Sequence, residues 1–511
     1  MSDAHTVGRW LVDRAARSPR RIAIDDRGLT LDYATLARRA RSLAALLRGA
    51  GLGPGDRIVT VASSSADHVV AFFGCALAGV AFVPLSWRLT AREVGRLIER
   101  AEPALVLTDD AHAALVAEAS RELAVPVLVL GSSGVESHVP ARPDAVEPRE
   151  VRDDDPLLVV YTSGSEAEPK GAVLTHENCF WNNLALGQAL PIREDDVVLA
   201  MLPQFHVAAW NVQPLLAWWV GATVVLESSF QPTRVLRLIE ERAVTCTMGV
   251  PTQYRLLADE PGWRDADLLS LRLAVVGGAP APADLLAEWA AKGVPLTPGY
   301  GLTEAGPNVL CAPRREPDAE PGTAGRPYPH VGVRLVDPDT GLELDGEAAG
   351  ELQVRGPSVF AGYLHDAEAT ARAMDGEWLR TGDLAARDAR GRYRIVSRLK
   401  DIYISGGENV APAEVELVLE THPLVSGAAV VGAPDPVWGE RGVAFVQPRA
   451  GAALGVDEVM AHARAALAGF KVPARIVIVE QLPRTGSQKV RRGALRARAA
   501  ELMKEAADER L

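Results

Sequence analysis

The 511-residue chain carries 66 acidic against 54 basic side chains, a formal net charge of −12, which argues against a nucleic-acid surface because that needs basic excess. Its 48% apolar content marks a globular chain, and at roughly 100–200 residues per domain the length predicts three or four substructures. Four cysteines, Cys75, Cys179, Cys246 and Cys311, form no C-x-x-C pair; this argues against a disulfide framework or zinc site and fits reduced thiols in the cytoplasm.

The opening stretch MSDAHTVGRWLVDRAARSPRR has no apolar core, so no signal peptide is expected. From residue 20 to about 230, short β-branched runs (RIAI, DRIVTVA, AFVPL, ALVLT, VPVLVL, LLVVYT, DVVLAMLP, TVVL) alternate with helical stretches such as LDYATLARRARSLAALLRGAG. Strand and helix in alternation predict βαβ units and a largely parallel sheet. Residues 69–85, VVAFFGCALAGVAFVPL, carry no charge. They fall short of the ~20 residues a membrane span needs, and Gly74, Gly79 and Pro84 interrupt them, so a buried helix running into a buried strand is expected. Residues 131–155 read as a polar surface loop.

After the apolar run Pro156–Val160 comes YTSGSEAEPKG, residues 161–171. Thr162, Ser163, Gly164, Ser165 and Lys170 supply hydroxyls, an approachable backbone and a cation, which suit a polyphosphate. The spacing is not that of the common G-x-x-x-x-G-K-[ST] loop, and a plain polar turn also fits the stretch taken alone. Further along, GGAPAP (277–282) follows the strand-like LRLAVV, and its glycines allow a flat ring to approach. TPGYGLTE (297–304) presents Tyr300, Thr303 and Glu304. From 311 to about 398 the texture changes to a Pro/Gly-rich connector and then GVRLVD, GELQVRG and GRYRIVS, expected as antiparallel strands. WLRTGDL (378–384) offers Asp383 in a turn. SRLKDIYISGGENVAPAEVE (397–416) combines Arg398, Lys400 and Asp401 with a glycine pair. A small α+β unit is expected after residue 401, with strands near AAVVGAP, VAFVQP and RIVIVE, and LPRTGSQKVRR (482–492) carries Lys489. Individually these have plain alternatives: GGAP as a turn, Asp383 as a helix cap, Lys489 on a solvated basic face. No G-x-S-x-G elbow is present, which argues against a serine hydrolase.

Taken in order, these motifs resemble the AMP-forming acyl-CoA synthetases. That family belongs to the adenylate-forming superfamily, which also holds luciferases and nonribosomal peptide adenylation domains. The resemblance spans nearly the whole chain. It implies a large N-terminal α/β domain with a small β-rich subdomain (residues 1–397), a hinge (398–401) and a mobile α+β domain (402–511). It implies two half-reactions, in which a carboxylate and ATP give acyl-AMP and pyrophosphate and a thiol then displaces AMP. Thr162, Ser163, Gly164 and Ser165 would hold the β- and γ-phosphates, with Lys170 at the edge. Thr303 would meet the α-phosphate and Glu304 would hold Mg²⁺. Tyr300 and Gly301 would flank adenine beside Gly278, Ala279 and Pro280. Asp383 would accept from the ribose hydroxyls with help from Arg398, and Lys489 would bridge carboxylate and α-phosphate in the first half only.

For the second half the resemblance implies rotation about Lys400. Gly406 and Gly407 would then line a pantetheine tunnel, and Trp438 and Lys471 would be candidates for CoA's adenine and phosphates. A core position also fits Trp438. The acyl pocket would draw on FHVAAW, MGVPT, GGAP and GLTEAGPN. His206 would sit near its mouth, Trp210 would form a wall, and Ala208, Ala209, Gly249, Gly278, Gly301 and Pro307 would line it. None of these segments contains Lys or Arg, so a second anionic group on the substrate would lack a partner. A bulky, singly charged hydrophobic acid is expected. The small residues could equally be packed against helices. Two positions depart from the family pattern: Glu166 and Ala167 stand where Thr and Gly are usual, and Gln488 replaces a glycine. Rival expectations are a ligase loading a carrier-protein thiol and a catalytically silent binding protein. Expected partners are the acid, ATP and CoA, without nucleic acid or membrane span, and with a homodimer as the candidate assembly.

Overall fold

A computed structural model describes residues 5–130, 150–162, 169–312, 322–405, 408–435, 438–467, 469–485 and 490–508. The chain forms two compact units, Met1–Val333 with Gln353–Arg380, and Arg334–Leu352 with Thr381–Leu511.

In the first unit, the expected alternation produces two sheets. One runs Gly362–Tyr363, Lys170–Thr175, Pro156–Thr162, Ala81–Pro84, Arg57–Val61, Leu105–Asp109, Val127–Leu130. It is parallel except where Lys170–Thr175 turns back on Pro156–Thr162 and Gly362–Tyr363 joins the edge. The uncharged stretch 69–85 lies in a helix, Ala66–Ala78, and a fully buried strand, Ala81–Pro84. Ser65 caps that helix by accepting from His68 N–H, and Gly79 ends it at φ +81°, which suits a residue without Cβ. Among the described residues no helix is long and apolar enough to cross a membrane.

In the other sheet, Ile22–Asp26, Thr223–Leu226, Val197–Ala200, Cys246–Gly249, Leu273–Val276 and Leu296–Tyr300 lie parallel in that order. Cys246–Gly249 and Leu273–Val276 are buried throughout, as expected of strands covered on both faces. Helices Pro232–Glu241, Pro251–Ala258 and Ala283–Ala291 supply residues that pack on them, including Leu236, Tyr254, Leu257, Leu285 and Trp289.

In the second unit, residues 383–387 pair antiparallel with Tyr393–Arg398. A separate sheet runs Glu408–Val410, Tyr403–Ser405, Gly439–Pro448, Val425–Asp435, with Arg475–Ile478 alongside Gly439–Pro448. Val425–Asp435 is apolar on both faces. Ala428 and Val430 pack into one core and Ala429, Val431 and Ala433 into another. The period of two explains why AAVVGAP reads as an unbroken apolar run. All four cysteines are free and buried.

Candidate active site

The segments named for nucleotide and acid follow four adjacent parallel strands of one sheet. GLTE follows Leu296–Tyr300, GGAP follows Leu273–Val276, MGVPT runs off the end of Cys246–Gly249, and FHVAAW follows Val197–Ala200 after a short loop. Their shared direction places every segment at the carboxyl end of its strand, where ligands bind in open α/β sheets. The loops are tied together: Gly277 N–H donates to Gly249 O at 3.2 Å, and Gln253 Nε2 donates to Met201 O at 3.2 Å. Gly278, Ala279 and Pro280 are exposed, while Tyr300 is half-buried on the neighbouring strand end.

Glu304 gathers residues distant in sequence. Thr162 Oγ1 donates to Glu304 Oε1 at 3.3 Å, and Tyr363 Oη donates to the same oxygen at 3.0 Å. Lys170 Nζ lies 5.5 Å from the centre of the Tyr363 ring. Thr162 and Lys170 face each other across the hairpin, so the two ends of the YTSGSEAEPKG loop meet the GLTE turn. Ser163, Gly164, Ser165, Glu166 and Ala167 lie outside the described residues. Tyr363 went unnoticed in the sequence because nothing local marks it. It reaches Glu304 through the two-residue strand Gly362–Tyr363, paired with Val173 and Ala172.

Thr303–Ala305 forms a single 3₁₀ turn, ended by Gly306 at φ +87°. Gly301 is required by space, since a Cβ there would lie 1.4 Å from Pro307 O. Asn308, next in sequence, is buried; its Nδ2 donates to Asn182 Oδ1 (2.9 Å) and to Asn211 O (3.1 Å). Asn182 Nδ2 donates to Asn211 O at 2.8 Å. These amides fasten the Pro307 loop to helix Ala208–Asn211 and were also unmarked in the sequence. His206 and Ala208 on that segment are half-buried.

One expectation for the pocket changes. Trp210 is not a wall. It is fully buried, stacked on Phe72 at 4.4 Å, with its indole N–H on Gln204 O at 2.7 Å. An apolar residue following small neighbours does not reveal which side of the helix is core. Gly249 is buried, and a Cβ there would meet Met201 Cε, the far end of a flexible side chain, at 2.4 Å. Behind Trp210, His68 Nδ1 bonds Gln204 Oε1 at 2.8 Å and its Nε2 bonds Thr60 Oγ1 at 2.9 Å. Burial pushes His68 down to about 4, so the imidazole is neutral.

In the second unit Asp383 lies in strand Trp378–Arg387, not in a turn or at a helix cap. Gly382 at φ +67° and a bulge between Leu384 and Ala385 supply the kink that made the motif read as a turn. Asp383 is buried and paired with Arg398, Nε to Oδ1 at 2.6 Å. Burial lowers the Lys400 ammonium from its usual range, partly offset by Asp401. Trp438 is exposed, not core, with the Arg441 guanidinium 5.8 Å from its ring centre. Lys471 is engaged by Glu414, Nζ to Oε1 at 2.6 Å. Gly406, Gly407, Gln488 and Lys489 lie outside the described residues.

Residues 11–364 match the family model described as AMP-binding enzyme, and residues 414–489 match the AMP-binding enzyme C-terminal domain. The chain is 41% identical over 494 residues to feruloyl-CoA synthase of an Amycolatopsis species, covering 96% of this chain and 99% of that one. It is 35% identical over 500 residues to fatty acid–[acyl-carrier-protein] ligase ScoC of Streptomyces coeruleorubidus, covering 95% and 94%. Among solved structures it is similar to ATP-bound MatB from Rhodopseudomonas palustris, with a TM-score of 0.89 and 31% identity over 98% of this chain and 100% of that one.

Proposed function

Because the chain belongs to the AMP-binding enzyme family, we propose that it is an AMP-forming carboxylic acid–CoA ligase acting on a bulky, singly charged hydrophobic acid. The supporting observation is the convergence of FHVAAW, MGVPT, GGAP and GLTEAGPN on adjacent strand ends, with no Lys or Arg among them. In this reading the acid's carboxylate attacks the α-phosphate of ATP and expels pyrophosphate. A thiolate then attacks the acyl carbonyl and expels AMP.

Charge develops on phosphate oxygens in the first step and on the carbonyl oxygen in the second. Fixed donors and cations lower both barriers. Thr162, Ser163, Gly164, Ser165 and Lys170 hold the outer phosphates and Thr303 the α-phosphate. Tyr300 with Gly301, Gly278, Ala279 and Pro280 hold adenine, Asp383 and Arg398 the ribose. Lys489 bridges the two reacting groups. The hinge at residues 398–401 permits a second arrangement for transfer, in which Gly406 and Gly407 admit the pantetheine arm. Trp438, open and beside Arg441, meets CoA's adenine. Lys471 meets its phosphates by exchanging Glu414 for a phosphate oxygen.

The oxygen donors around Glu304 fit Mg²⁺, a hard cation that takes one or two carboxylates with substrate phosphates. Among the described residues no three His, Cys, Asp or Glu cluster as a metal cage. The ion, when bound, supplies charge neutralisation on the phosphates, and Glu304 orients it.

The similarity to ScoC favours one second reading, transfer to a carrier-protein thiol. Pyrophosphate release and product mass should be followed with ferulate, dodecanoate, acetate and malonate, each with ATP and either CoA or a carrier protein. Turnover of ferulate or dodecanoate with CoA, exceeding that of acetate and malonate, is expected. Preference for the carrier would transfer the function to the second reading. No pyrophosphate release with any acid would overturn both in favour of a silent binding protein.

A further inference from the structure

Between the strand that carries Arg398 and the C-terminal sheet lies one 3₁₀ turn, Leu399–Asp401. Its two ends are anchored differently. On the N-terminal side Arg398 pairs in register with Asp383, and its Nε bonds the Asp383 carboxylate at 2.6 Å.

On the C-terminal side the anchor is helix Arg492–Asp508. Arg496 Nη2 donates to Asp401 Oδ1 at 2.7 Å and to the backbone oxygen of Lys400 at 3.2 Å. Arg492 Nε stands 3.6 Å from Asp401 Oδ2 and grips Glu416 bidentately, at 2.6 and 2.8 Å. Glu416 also accepts from Val430 N–H at 2.6 Å, on the edge strand Val425–Asp435 of the C-terminal sheet. Two carboxylates and two guanidiniums thus balance in a half-dry cluster, and Asp401 itself is 8% exposed. Buried charges are stable only when so matched. A guanidinium that holds both a side-chain carboxylate and the preceding carbonyl fixes the Lys400–Asp401 peptide plane. The torsions left between the anchors belong to Leu399 and Lys400.

We propose that Arg496 is a positioning residue that fastens the C-terminal end of the hinge to helix Arg492–Asp508, confining the pivot to Leu399 and Lys400. This rests on the hinge reading above. During adenylation, Lys489 holds the C-terminal domain through its own bonds to carboxylate and phosphate. Transfer has no such bridge and depends on the hinge alone, so a loosened hinge costs transfer more.

The experiment measures both half-reactions of the full chain. The probe acid is whichever of ferulate and dodecanoate turns over faster, together with its synthetic adenylate. Arg496→Met keeps the aliphatic length and removes both bonds. It is expected to slow thioester formation from the adenylate roughly tenfold, the scale of ordering one further residue's backbone. Pyrophosphate release from acid and ATP stays within about twofold on the same argument. Arg496→Lys keeps the charge on Asp401 and is expected to show the same split to a smaller extent. Should Arg496→Met fail to fold, Arg496→Lys decides by that split.

Equal losses in both halves would make Arg496 merely structural and overturn the proposal. Unchanged transfer in Arg496→Met, with Lys400→Pro abolishing transfer, would overturn the latch and leave the hinge standing. Unchanged transfer in Lys400→Pro would overturn the hinge reading, and the latch with it.

Discussion

Gly301 and Asp383 both belong to the residues named for nucleotide, yet they are held in opposite ways. Gly301 is fixed by exclusion, with Pro307 O where a side chain would begin. Around it, buried amides of Asn182 and Asn308 join neighbouring backbone, and Trp210 stacks in the core. Asp383 is fixed by attraction to Arg398, as Asp401 is by Arg496 and Lys471 by Glu414. A close-packed wall has one arrangement, because packed interiors do not deform continuously. The Lys471–Glu414 pair, partly open to solvent, costs little to exchange for another partner, whereas the pairs of buried Asp383 and Asp401 hold their groups in place. The first unit therefore keeps its shape by packing and the second by charge, with Lys471 left able to change its contact.

Breaking the packed side should have the largest effect. Gly301→Ala puts a Cβ into backbone that has no flexible end to move away. A loss of about 3 kcal/mol is expected, at the upper end of overpacking costs, with adenylation falling below detection. Thermal unfolding and pyrophosphate release check it; a folded, active variant would show that the loop opens freely.

On the charged side, Lys489→Ala should slow adenylation roughly 100-fold or more, the scale of removing one preorganised transition-state contact. Transfer from supplied adenylate should change only slightly, because only the first half uses that cation. Comparable losses in both would remove the distinction between the halves.

Asp383→Asn tests whether attraction is what matters there. It keeps the shape and removes the charge opposite Arg398. The KM for ATP should rise roughly tenfold, one charge-assisted hydrogen bond to ribose being worth about 1.5 kcal/mol. The KM for the acid should hardly move. If both constants move together, Asp383 supports the fold and not the nucleotide.

The smallest effect concerns pH. His68 is about 4 in the folded chain against an ordinary 6.5. The unfolded chain therefore binds the extra proton between these values, and stability falls as pH drops from 6.5 towards 4. In His68→Gln the melting temperature should decline less steeply across that window, whatever its starting value. An unchanged slope would mean that His68 is not the neutral group its burial makes it.

Much of this was readable in advance. The alternation of β-branched runs and helices identified the parallel sheets, and the order of motifs from YTSGSEAEPKG to PRTGSQK identified the family. Both signals are local, since they depend on period, glycine and charge within short windows. Contacts between distant windows were not readable. Tyr363 reaches Glu304 only because a two-residue strand joins a sheet edge, and Arg496 reaches Asp401 across 95 positions. The WLRTGDL motif misled in form, since glycine before aspartate marks a turn in sequence but here kinks a strand.

What the sequence by itself determined is the inventory of the site. Small, hydroxyl-bearing, acidic and basic residues occur at fixed intervals, and apolar runs long enough to carry them end beside those intervals. Tertiary structure alone decided the assignments among similar residues: Trp210 to the core and Trp438 to the surface, Lys471 to Glu414, and Gly301 to a space with no room for another atom. Identity is a property of each position, whereas burial and partnership arise from the whole packed chain, where residues hundreds of positions apart compete for the same space and charge.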